Sequence, residues 1–323
     1  MALLEVENLA VLLKRPDTTV PIVRRISYTI DRGETLAIVG ESGSGKSVSS
    51  SAIMGLLPSE LELHADRLVF DGEDLVSASD EAMRQLRGRR IAMVFQEPMT
   101  ALNPVKSIGS QITEGIRLNL GLSRSGARDR AIELLGEVGL SDAEQRLAQF
   151  PHNFSGGMRQ RVVIAIALSG RPDLIIADEP TTALDVTIQA QILDLMARLC
   201  RDHDTALMLI THNLGVVARY AQRVNVMYAG RIVASAEAKS LYARPRHPYT
   251  RGLLKAVPRL DRDRSSRLPS IPGAPADPTE PISGCRFHPR CERAGDICRE
   301  KDPPLENGVA CHFPYEDAAR LAS

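Results

Sequence analysis

The chain has 323 residues, enough to bury a full hydrophobic core in one large or two modest domains. Lys and Arg together number 40 and so do Asp and Glu, and the resulting formal net charge of zero gives no support for nucleic acid as the main partner. No apolar run approaches the roughly 20 residues of a membrane span, and the N-terminal stretch lacks the basic start of a signal peptide. We therefore expect a protein that is made and kept in the cytosol and is free to dock on a membrane protein.

The first part of the chain contains short apolar stretches that predict strands. Partial alternation and β-branched residues predict two strands, over residues 3–13 and 22–30. An apolar run predicts a third strand over 35–39, and a hairpin edge is expected over 68–72, where Asp-Gly follows three apolar residues.

A glycine-rich stretch follows the third predicted strand. Residues Gly40-Glu-Ser-Gly-Ser-Gly-Lys-Ser47 fit the phosphate-loop pattern G-x-x-x-x-G-K-[ST] at every fixed position, and a helix is expected after them over 48–57. Glycines let backbone N–H groups wrap a phosphate chain, and the helix N-terminus adds the positive end of its dipole. The alternative, a plain glycine-serine turn, is disfavoured by this context. We expect Lys46 to reach the terminal phosphates and Ser47 to face Mg²⁺. The predicted nucleotide ligands in the loop are Gly40, Ser42, Gly43, Ser44, Gly45, Lys46 and Ser47.

The middle of the chain changes from a strand-like to a helix-like pattern. A buried strand is expected over 91–95, and Gln96 at its end can contact Mg²⁺ or the attacking water, although strand-end glutamines are common. Helical periodicity then predicts a helical insertion over about 97–160. The insertion ends at Phe154-Ser-Gly-Gly-Met-Arg-Gln-Arg161, and an almost wholly apolar, buried helix is expected over 162–168.

Two acidic residues close the next predicted strand, residues 174–177. Asp178 is placed to hold Mg²⁺, directly or through water, whereas Glu179 points elsewhere and suits polarising an attacking water. Either acid could instead cap the following turn, but adjacent acids at the end of a fully apolar strand are costly unless they are used. A further core strand over 206–210 ends near His212, which can contact a γ-phosphate or serve as an ordinary structural histidine.

The C-terminal part of the chain is irregular. A closing hairpin is expected over 224–234, and prolines that recur between positions 258 and 281 resist helix and central strand. We therefore predict a nucleotide-binding domain over 1–256, followed by a proline-rich linker and a C-terminal extension over 257–323.

Four of the five cysteines crowd this extension, namely Cys285, Cys291, Cys298 and Cys311. The segment has too little apolar content to order itself, and in a reducing compartment such a group indicates metal ligation before disulfides. The spacings are wider than the pairs of common zinc modules and miss the tight ferredoxin run, so they leave zinc, iron–sulfur and no metal open. His288 and His312 could also ligate zinc.

The order of these motifs resembles the ATP-binding cassette (ABC) ATPases. Phosphate loop, strand-end Gln, helical insertion, Ser-Gly-Gly-x-x-Gln, strand-end Asp-Glu, Ala-Leu-Asp and strand-end His follow one another over about residues 3–256, with Phe154 where the family usually has Leu. Residues 97–104, 178–187 and 246–250, together with the four cysteines, resemble the ATPase subunits of dipeptide and oligopeptide permeases. The resemblance implies an α/β fold, with a P-loop NTPase core of ABC type, an antiparallel β subdomain, a helical insertion and a small, irregular, metal-binding C-terminal extension.

The same resemblance implies ATP hydrolysis by a pair of cassettes. Two such subunits sandwich two ATPs, each between the phosphate loop of one subunit and the signature of the other. On this chain Ser155, Gly156 and Gly157 would contact the partner's ATP, and Asp185 would lie at the seam. ATP closes the pair and hydrolysis reopens it. The cofactors implied are ATP, Mg²⁺ and, because permease ATPases with this cysteine tail are similar to members that carry one, a [4Fe–4S] cluster on the four cysteines. The catalytic residues implied are Glu179, His212 and Gln96.

A permease ATPase of this kind implies partners in a membrane complex. The expected partners are two transmembrane permease subunits, often a second, different ATPase, and a periplasmic solute-binding protein, with this chain bound peripherally at the cytoplasmic face of the bacterial inner membrane. Nickel and other small-solute importers share the motifs, so the peptide substrate is inferred by association. A soluble ABC ATPase acting on nucleic acid or ribosomes is an alternative, disfavoured because the chain has one cassette and no heptad run. A metal-sensing regulator built on the cysteine segment is a third interpretation.

One departure from the family concerns adenine. Most relatives stack the base on an aromatic residue upstream of the phosphate loop, whereas the matching place here is Val20. The nearest aromatic residue, Tyr28, is expected inside a strand, so aliphatic contacts would hold the base only weakly.

Overall fold

The computed structural model describes residues 2–96, 101–182, 184–257, 270–277 and 280–316. Its strands are β1 (Leu4–Lys14), β2 (Thr19–Ile30), β3 (Thr35–Val39), β4 (Leu61–His64), β5 (Arg67–Phe70), β6 (Glu73–Asp74), β7 (Ile91–Val94), β8 (Leu174–Asp178), β9 (Ala206–Thr211), β10 (Arg223–Tyr228) and β11 (Arg231–Glu237). Its α-helices are α1 (Lys46–Ile53), α2 (Asp80–Leu86), α3 (Ile108–Leu120), α4 (Arg124–Glu137), α5 (Ala143–Arg146), α6 (Gly156–Leu168), α7 (Val186–Asp202), α8 (Leu214–Tyr220), α9 (Ala238–Ala243), α10 (Pro248–Ala256) and α11 (Ile297–Glu300). Short 3-10 turns lie at Pro151–Asn153 and His288–Arg290. Over these ranges, no helix has both the length and the apolar character that crossing a membrane requires.

The chain divides into two compact units. The phosphate-loop unit comprises the described residues within 2–29 and 35–76 and those from 210 onward. The helical unit comprises residues 30–34 and the described residues within 77–209. Strand β9 begins in the helical unit and ends in the phosphate-loop unit.

The phosphate-loop unit contains an antiparallel sheet and strands of a mixed sheet. In the first sheet the strand order is β2-β1-β5-β6, β4 also pairs with β1, and the pairings of β1 with β4 and β5 are antiparallel. In the second, β10 lies between β11 and β3, antiparallel to β11 and parallel to β3. Every residue of β3 is buried, which is why its sequence is a continuous apolar run rather than an alternation. The mixed α/β architecture that the motifs imply is therefore confirmed.

The C-terminal segment packs inside the phosphate-loop unit. Phe287 is 4% exposed, and its ring centroid lies 5.2 Å from that of Tyr228 and 5.4 Å from that of Tyr249. Partly buried Cys285 and Cys291 pack against the same core cluster. The expectation that this segment cannot order itself by burial is therefore wrong for its described part, because the segment shares the aromatic core of β10 and α10. The predicted connector over 258–281 falls partly outside the described residues.

The helical unit holds β7 and β8 and most of the long helices. The two strands are parallel, with Ile91 opposite Leu174. Helices α3 and α4 each begin after a serine, Ser107 and Ser123, whose hydroxyl accepts the N–H three residues on at 3.2 Å. These helices lie within the stretch where the sequence predicts a helical insertion, of which residues 97–100 are outside the described part.

Candidate nucleotide site

The phosphate loop is a sharp turn at the end of the buried strand β3. A Cβ atom on Gly40 would lie 2.2 Å from the carbonyl oxygen of Met227, so the backbone of β10 approaches the loop too closely for any side chain. Gly45 has φ +96°, in the left-handed region, and it is the residue from which α1 starts. The helix therefore begins at Lys46, two residues earlier than the apolar pattern predicts, and its N-terminus faces the loop.

The loop encloses a lysine and a hydroxyl of the kind that bind phosphate. Lys46 is 4% exposed, and its Nζ donates to the carbonyl oxygens of Gly40 at 2.9 Å and Glu41 at 3.0 Å. Ser44 is also buried, and its Oγ has no hydrogen-bond partner among the described residues. A buried hydroxyl without a partner is costly unless a ligand satisfies it, and phosphate oxygens can do so. The loop, its lysine and this hydroxyl thus fit a nucleotide phosphate chain.

Glu41, a variable position of the motif, is held from three directions. Its N–H donates to the hydroxyl of Tyr249 at 2.9 Å, and its carbonyl accepts from Lys46. Its carboxylate accepts two hydrogen bonds from Arg290, from Nη1 at 2.7 Å and from Nη2 at 3.1 Å. Sequence reasoning missed this ion pair because 249 residues separate its partners and no local pattern links them.

In the helical unit, strand β8 delivers the two predicted acids. Asp178 is the last residue of this wholly buried strand and is 6% exposed. Glu179 has φ +46°, which is uncommon outside glycine and frequent at functional positions. The Oγ1 of Thr182 donates to Glu179 Oε2 at 2.8 Å, and the Nε2 of Gln96 lies 3.5 Å from the same oxygen. The structure therefore brings the predicted Gln and Glu together and adds Thr182, which the sequence reasoning did not single out.

The signature stretch begins helix α6. Ser155 is the N-cap, and its Oγ accepts from the N–H of Met158 at 3.4 Å, so the helix begins well before the predicted residue 162. A Cβ atom on Gly157 would lie 2.9 Å from the side chain of Ile188, which explains the need for glycine there. Gly156 is less crowded, at 3.4 Å from the side chain of Leu184.

The other predicted site residues lie at the ends of elements. Asp185 is exposed and directly precedes α7, whose first residue Val186 is 82% exposed. His212 is exposed just after β9. It belongs to the phosphate-loop unit, as the loop does, whereas the acids and the signature belong to the helical unit. Val20 and Tyr28 both lie in β2 at 9% and 8% exposure, as expected for residues of a strand.

The four clustered cysteines meet at one place. Cys285, Cys291, Cys298 and Cys311 all line a cavity of about 10 Å³, with His288 and His312 in the same wall. Burial raises the pKa of Cys285 to about 11 and also raises the pKa values of Cys291 and Cys311, so these thiols are protonated at neutral pH. Yet within the described ranges no three His, Cys, Asp or Glu side chains are arranged to hold a metal ion. The structure thus brings the predicted cysteines together without a preformed coordination geometry.

A phosphate loop set between a buried strand and a helix, in a chain with a second strand that ends in Asp-Glu, defines a phosphate-loop ATPase. Residues 23–182 match the family model described as ABC transporter, and residues 233–298 match the model described as oligopeptide/dipeptide transporter, C-terminal region.

Comparisons with individual proteins agree. The chain is 48% identical over 326 residues to the dipeptide transport ATP-binding protein DppD of Escherichia coli (strain K12), covering 99% of each chain. It is 51% identical over 312 residues to the oligopeptide transport ATP-binding protein OppD of Bacillus subtilis (strain 168), covering 96% of this chain and 87% of the relative. Among solved structures, a post-hydrolysis dimer of the ATP-binding cassette MJ0796 bound to ADP and Pi matches 73% of this chain and 98% of its own, with a TM-score of 0.63 and 26% identity. The chain therefore belongs to the ABC transporter ATPases, in the oligopeptide/dipeptide transporter family.

Proposed function

We propose that this chain is the ATP-hydrolysing subunit that powers an importer of di- and oligopeptides at the cytoplasmic face of the bacterial inner membrane. The observation that carries the proposal is the match of residues 233–298 to the C-terminal region of oligopeptide and dipeptide transporters, in addition to the match of residues 23–182 to the general ABC transporter model. The near full-length similarity to proteins named for dipeptide and oligopeptide transport supports it. We also propose that residues 1–256 form the nucleotide-binding domain and that residues 257–323 form the linker and the cysteine-bearing extension.

The ATP site divides its tasks among the predicted residues. The loop N–H groups and Lys46 bind the phosphates, and Ser47 with Asp178 holds Mg²⁺. Glu179, oriented by Thr182, polarises the attacking water. The remaining roles are contact of Gln96 with Mg²⁺ or that water and contact of His212 with the γ-phosphate.

The importer requires further subunits. We propose two transmembrane permease subunits, a second ABC ATPase and a periplasmic solute-binding protein. Ser155, Gly156 and Gly157 serve the ATP on the second ATPase, and Asp185 lies at the seam between the two. The exposure of Asp185 and Val186 supports a contact there, since a large exposed apolar side chain is available to a partner.

Uptake of labelled dipeptide by cells that lack the chain tests the function. Cells complemented with the native chain should import dipeptide, and cells with Glu179→Gln should not. Import of nickel but not of dipeptide by the complemented cells would assign the ATPase to another importer of this family. Full dipeptide import without the chain would remove it from peptide transport.

We propose further that the four clustered cysteines hold a [4Fe–4S] cluster. The proposal is supported by the four thiols that line a single cavity, because iron–sulfur clusters take four thiolates and need no histidine. Since these thiols are not arranged around a metal position in the described residues, binding would have to rearrange the side chains. When bound, the cluster would supply iron–thiolate bonds that cross-link the segment, a structural contribution that ATP hydrolysis does not use. The raised pKa values of three of the thiols mean that binding would release protons.

Anaerobic purification tests the cluster. The protein should be brown with about four irons per chain, and Ser replacement of Cys285, Cys291, Cys298 or Cys311 should bleach it. Cys200→Ser is the matched control, because Cys200 is buried in α7 and does not line the cavity of the four cysteines. This substitution should leave the colour unchanged. Stoichiometric zinc without iron would replace the cluster by a zinc site.

A further inference from the structure

The cysteine-bearing segment reaches the phosphate loop through one side chain. Arg290 ends the 3-10 turn His288–Arg290 and directly precedes Cys291. The side chain of Arg290 is 5% exposed and forms a bidentate ion pair with the carboxylate of Glu41, whose side chain is 25% exposed. Its Nε donates to the carbonyl oxygen of Pro272 at 2.9 Å, so the guanidinium is fixed on both sides. A planar, doubly bonded pair of this kind restricts the orientation of both partners.

The residue that Arg290 holds is itself part of the nucleotide site. The carbonyl of Glu41 accepts a hydrogen bond from Lys46, and its N–H is bonded to the hydroxyl of Tyr249. A change in the position of Glu41 therefore moves one of the two carbonyl oxygens that accept hydrogen bonds from the phosphate-binding lysine.

Charge gives the pair a second consequence. The carboxylate of Glu41 lies in a loop whose expected ligand is a chain of anionic phosphates, and a like charge there would weaken binding. Arg290 compensates that carboxylate. An ion pair this buried is a weak way to stabilise a fold, since apolar residues of similar volume often do as well, so its position in the loop calls for a functional reason.

We propose that Arg290 is a positioning residue for ATP binding, which acts through Glu41 to hold the first turn of the phosphate loop and to neutralise the carboxylate there. The cysteine-bearing segment is thus part of what gives the ATP site its full affinity. The proposal rests on the nucleotide-binding role of the phosphate loop, but on no metal in the segment.

A double-mutant cycle on the full-length chain tests this. The variants are Arg290→Gln, Glu41→Gln and the two combined, with Arg290→Lys as the conservative variant and Arg299→Gln, exposed in the same segment, as the matched control. For each we would measure the Kd of a fluorescent ATP analogue, the KM and kcat for ATP, and the melting temperature without nucleotide.

Arg290→Gln should weaken ATP binding about tenfold, because it removes both charged hydrogen bonds and leaves the carboxylate uncompensated. The loss should appear in Kd and KM with kcat nearly unchanged, since Glu41 does not contact the reacting atoms. Arg290→Lys should retain part of the ATP affinity, because lysine keeps the positive charge but cannot form the bidentate hydrogen bonds of the guanidinium. In the Glu41→Gln background, Arg290→Gln should cause no further loss, and Arg299→Gln should match the native chain.

Two outcomes would overturn the proposal. One is affinity within twofold of the native chain for Arg290→Gln in a protein that melts as a folded species. The other is the same loss of affinity with and without the Glu41 carboxylate, which would mean that Arg290 does not act through it. Lys46→Ala distinguishes failure of the Arg290 proposal from failure of the ATP-site assignment. Unchanged ATP binding by Lys46→Ala would remove the loop from the ATP site. Loss of ATP binding by Lys46→Ala together with unchanged affinity of Arg290→Gln would overturn only the role of Arg290.

Discussion

At the scale of single residues, the most informative position is Glu179. Its backbone lies at φ +46°, and strain of this kind persists only where the surroundings impose it. The turn that follows supplies the hydroxyl of Thr182, which donates to one carboxylate oxygen at 2.8 Å. The carboxylate is therefore held in one orientation before any ligand binds, as a group that must align a water molecule would be.

Replacing Glu179 by Gln should separate ATP binding from ATP hydrolysis. The amide keeps the shape and loses the basic oxygen, so turnover in the assembled transporter should fall by about a hundredfold or more while the Kd for ATP stays close to that of the native chain. Steady-state hydrolysis and equilibrium binding measure the two. Lys46→Ala is the contrasting variant and should weaken binding itself. Near-normal hydrolysis by Glu179→Gln would remove this residue from its catalytic role.

His247 provides a prediction about pH. It is 1% exposed, its ring accepts the N–H of Tyr249 at 3.0 Å, and burial lowers its pKa from 6.5 to about 4. Above pH 6.5 the ring is neutral in both the folded and the unfolded chain, so its contribution does not change. As pH falls from 6.5 towards 4, only the unfolded chain takes up the proton, and the free energy of unfolding should decrease by up to about 3 kcal/mol.

Urea unfolding of the native chain and of His247→Asn between pH 7 and pH 5 checks this. Asn can still accept the Tyr249 N–H at the start of α10, but it does not titrate, so its stability should depend less on pH than that of the native chain. Parallel pH profiles of the two proteins would show that His247 carries none of the dependence.

At the scale of elements, the phosphate loop and β10 are in contact along their backbones. Glycine is required at position 40 because a Cβ atom there would lie 2.2 Å from the carbonyl oxygen of Met227. At position 43 glycine is favoured only by the backbone conformation, since φ is +77° and a Cβ atom would have no neighbouring atom within 4 Å. The same motif thus holds two glycines that are needed for different physical reasons.

Alanine at these two positions should therefore have different effects. Gly40→Ala forces backbone apart and should lower the free energy of unfolding by several kcal/mol or prevent folding. Gly43→Ala places a Cβ in open space at positive φ and should cost only about 1–2 kcal/mol. Urea unfolding of the full-length variants measures both, and equal losses would mean that the close approach to Met227 relaxes at little cost.

The elements that the sequence predicted are those with a strong local pattern. β3, with five consecutive buried residues, was predicted with the correct bounds, and the phosphate loop follows from its fixed glycines. Helix α10 was not predicted, because its nine residues are too few for a helix that is stable alone, and packing of Tyr249 against distant rings supports it. Local periodicity cannot reveal such tertiary support.

The candidate site likewise contains residues that the sequence predicted and residues that it did not. Gln96, Asp178 and Glu179 were found because each ends an apolar strand. Arg290 was not, since its role depends on a contact across 249 positions of the chain. Residues that act through long-range ion pairs carry no sequence signal in a single chain.

At the scale of the whole molecule, the chain carries one phosphate loop and one signature. If each ATP requires a loop from one subunit and a signature from another, a lone chain is incomplete. We expect the isolated chain to hydrolyse ATP slowly and the chain with its membrane subunits and a second ATPase to hydrolyse it much faster. Comparison of the two preparations in one steady-state assay measures this. High transport-coupled activity with this chain as the only ATPase would overturn the idea of two different ATPases.

The C-terminal segment also covers a strand. Residues 308–310 run antiparallel to β11, the outer strand of the order β11-β10-β3, with Ser235 N–H donating to Gly308 O and Ala310 N–H donating to Val233 O, both at 2.9 Å. The segment thereby occupies backbone groups that would otherwise be free to pair with another molecule, a common origin of aggregation. A chain shortened to end at residue 304 should self-associate, visible as a concentration-dependent rise in light scattering, whereas full-length Cys311→Ser, which keeps residues 308–310 in place, should remain dispersed.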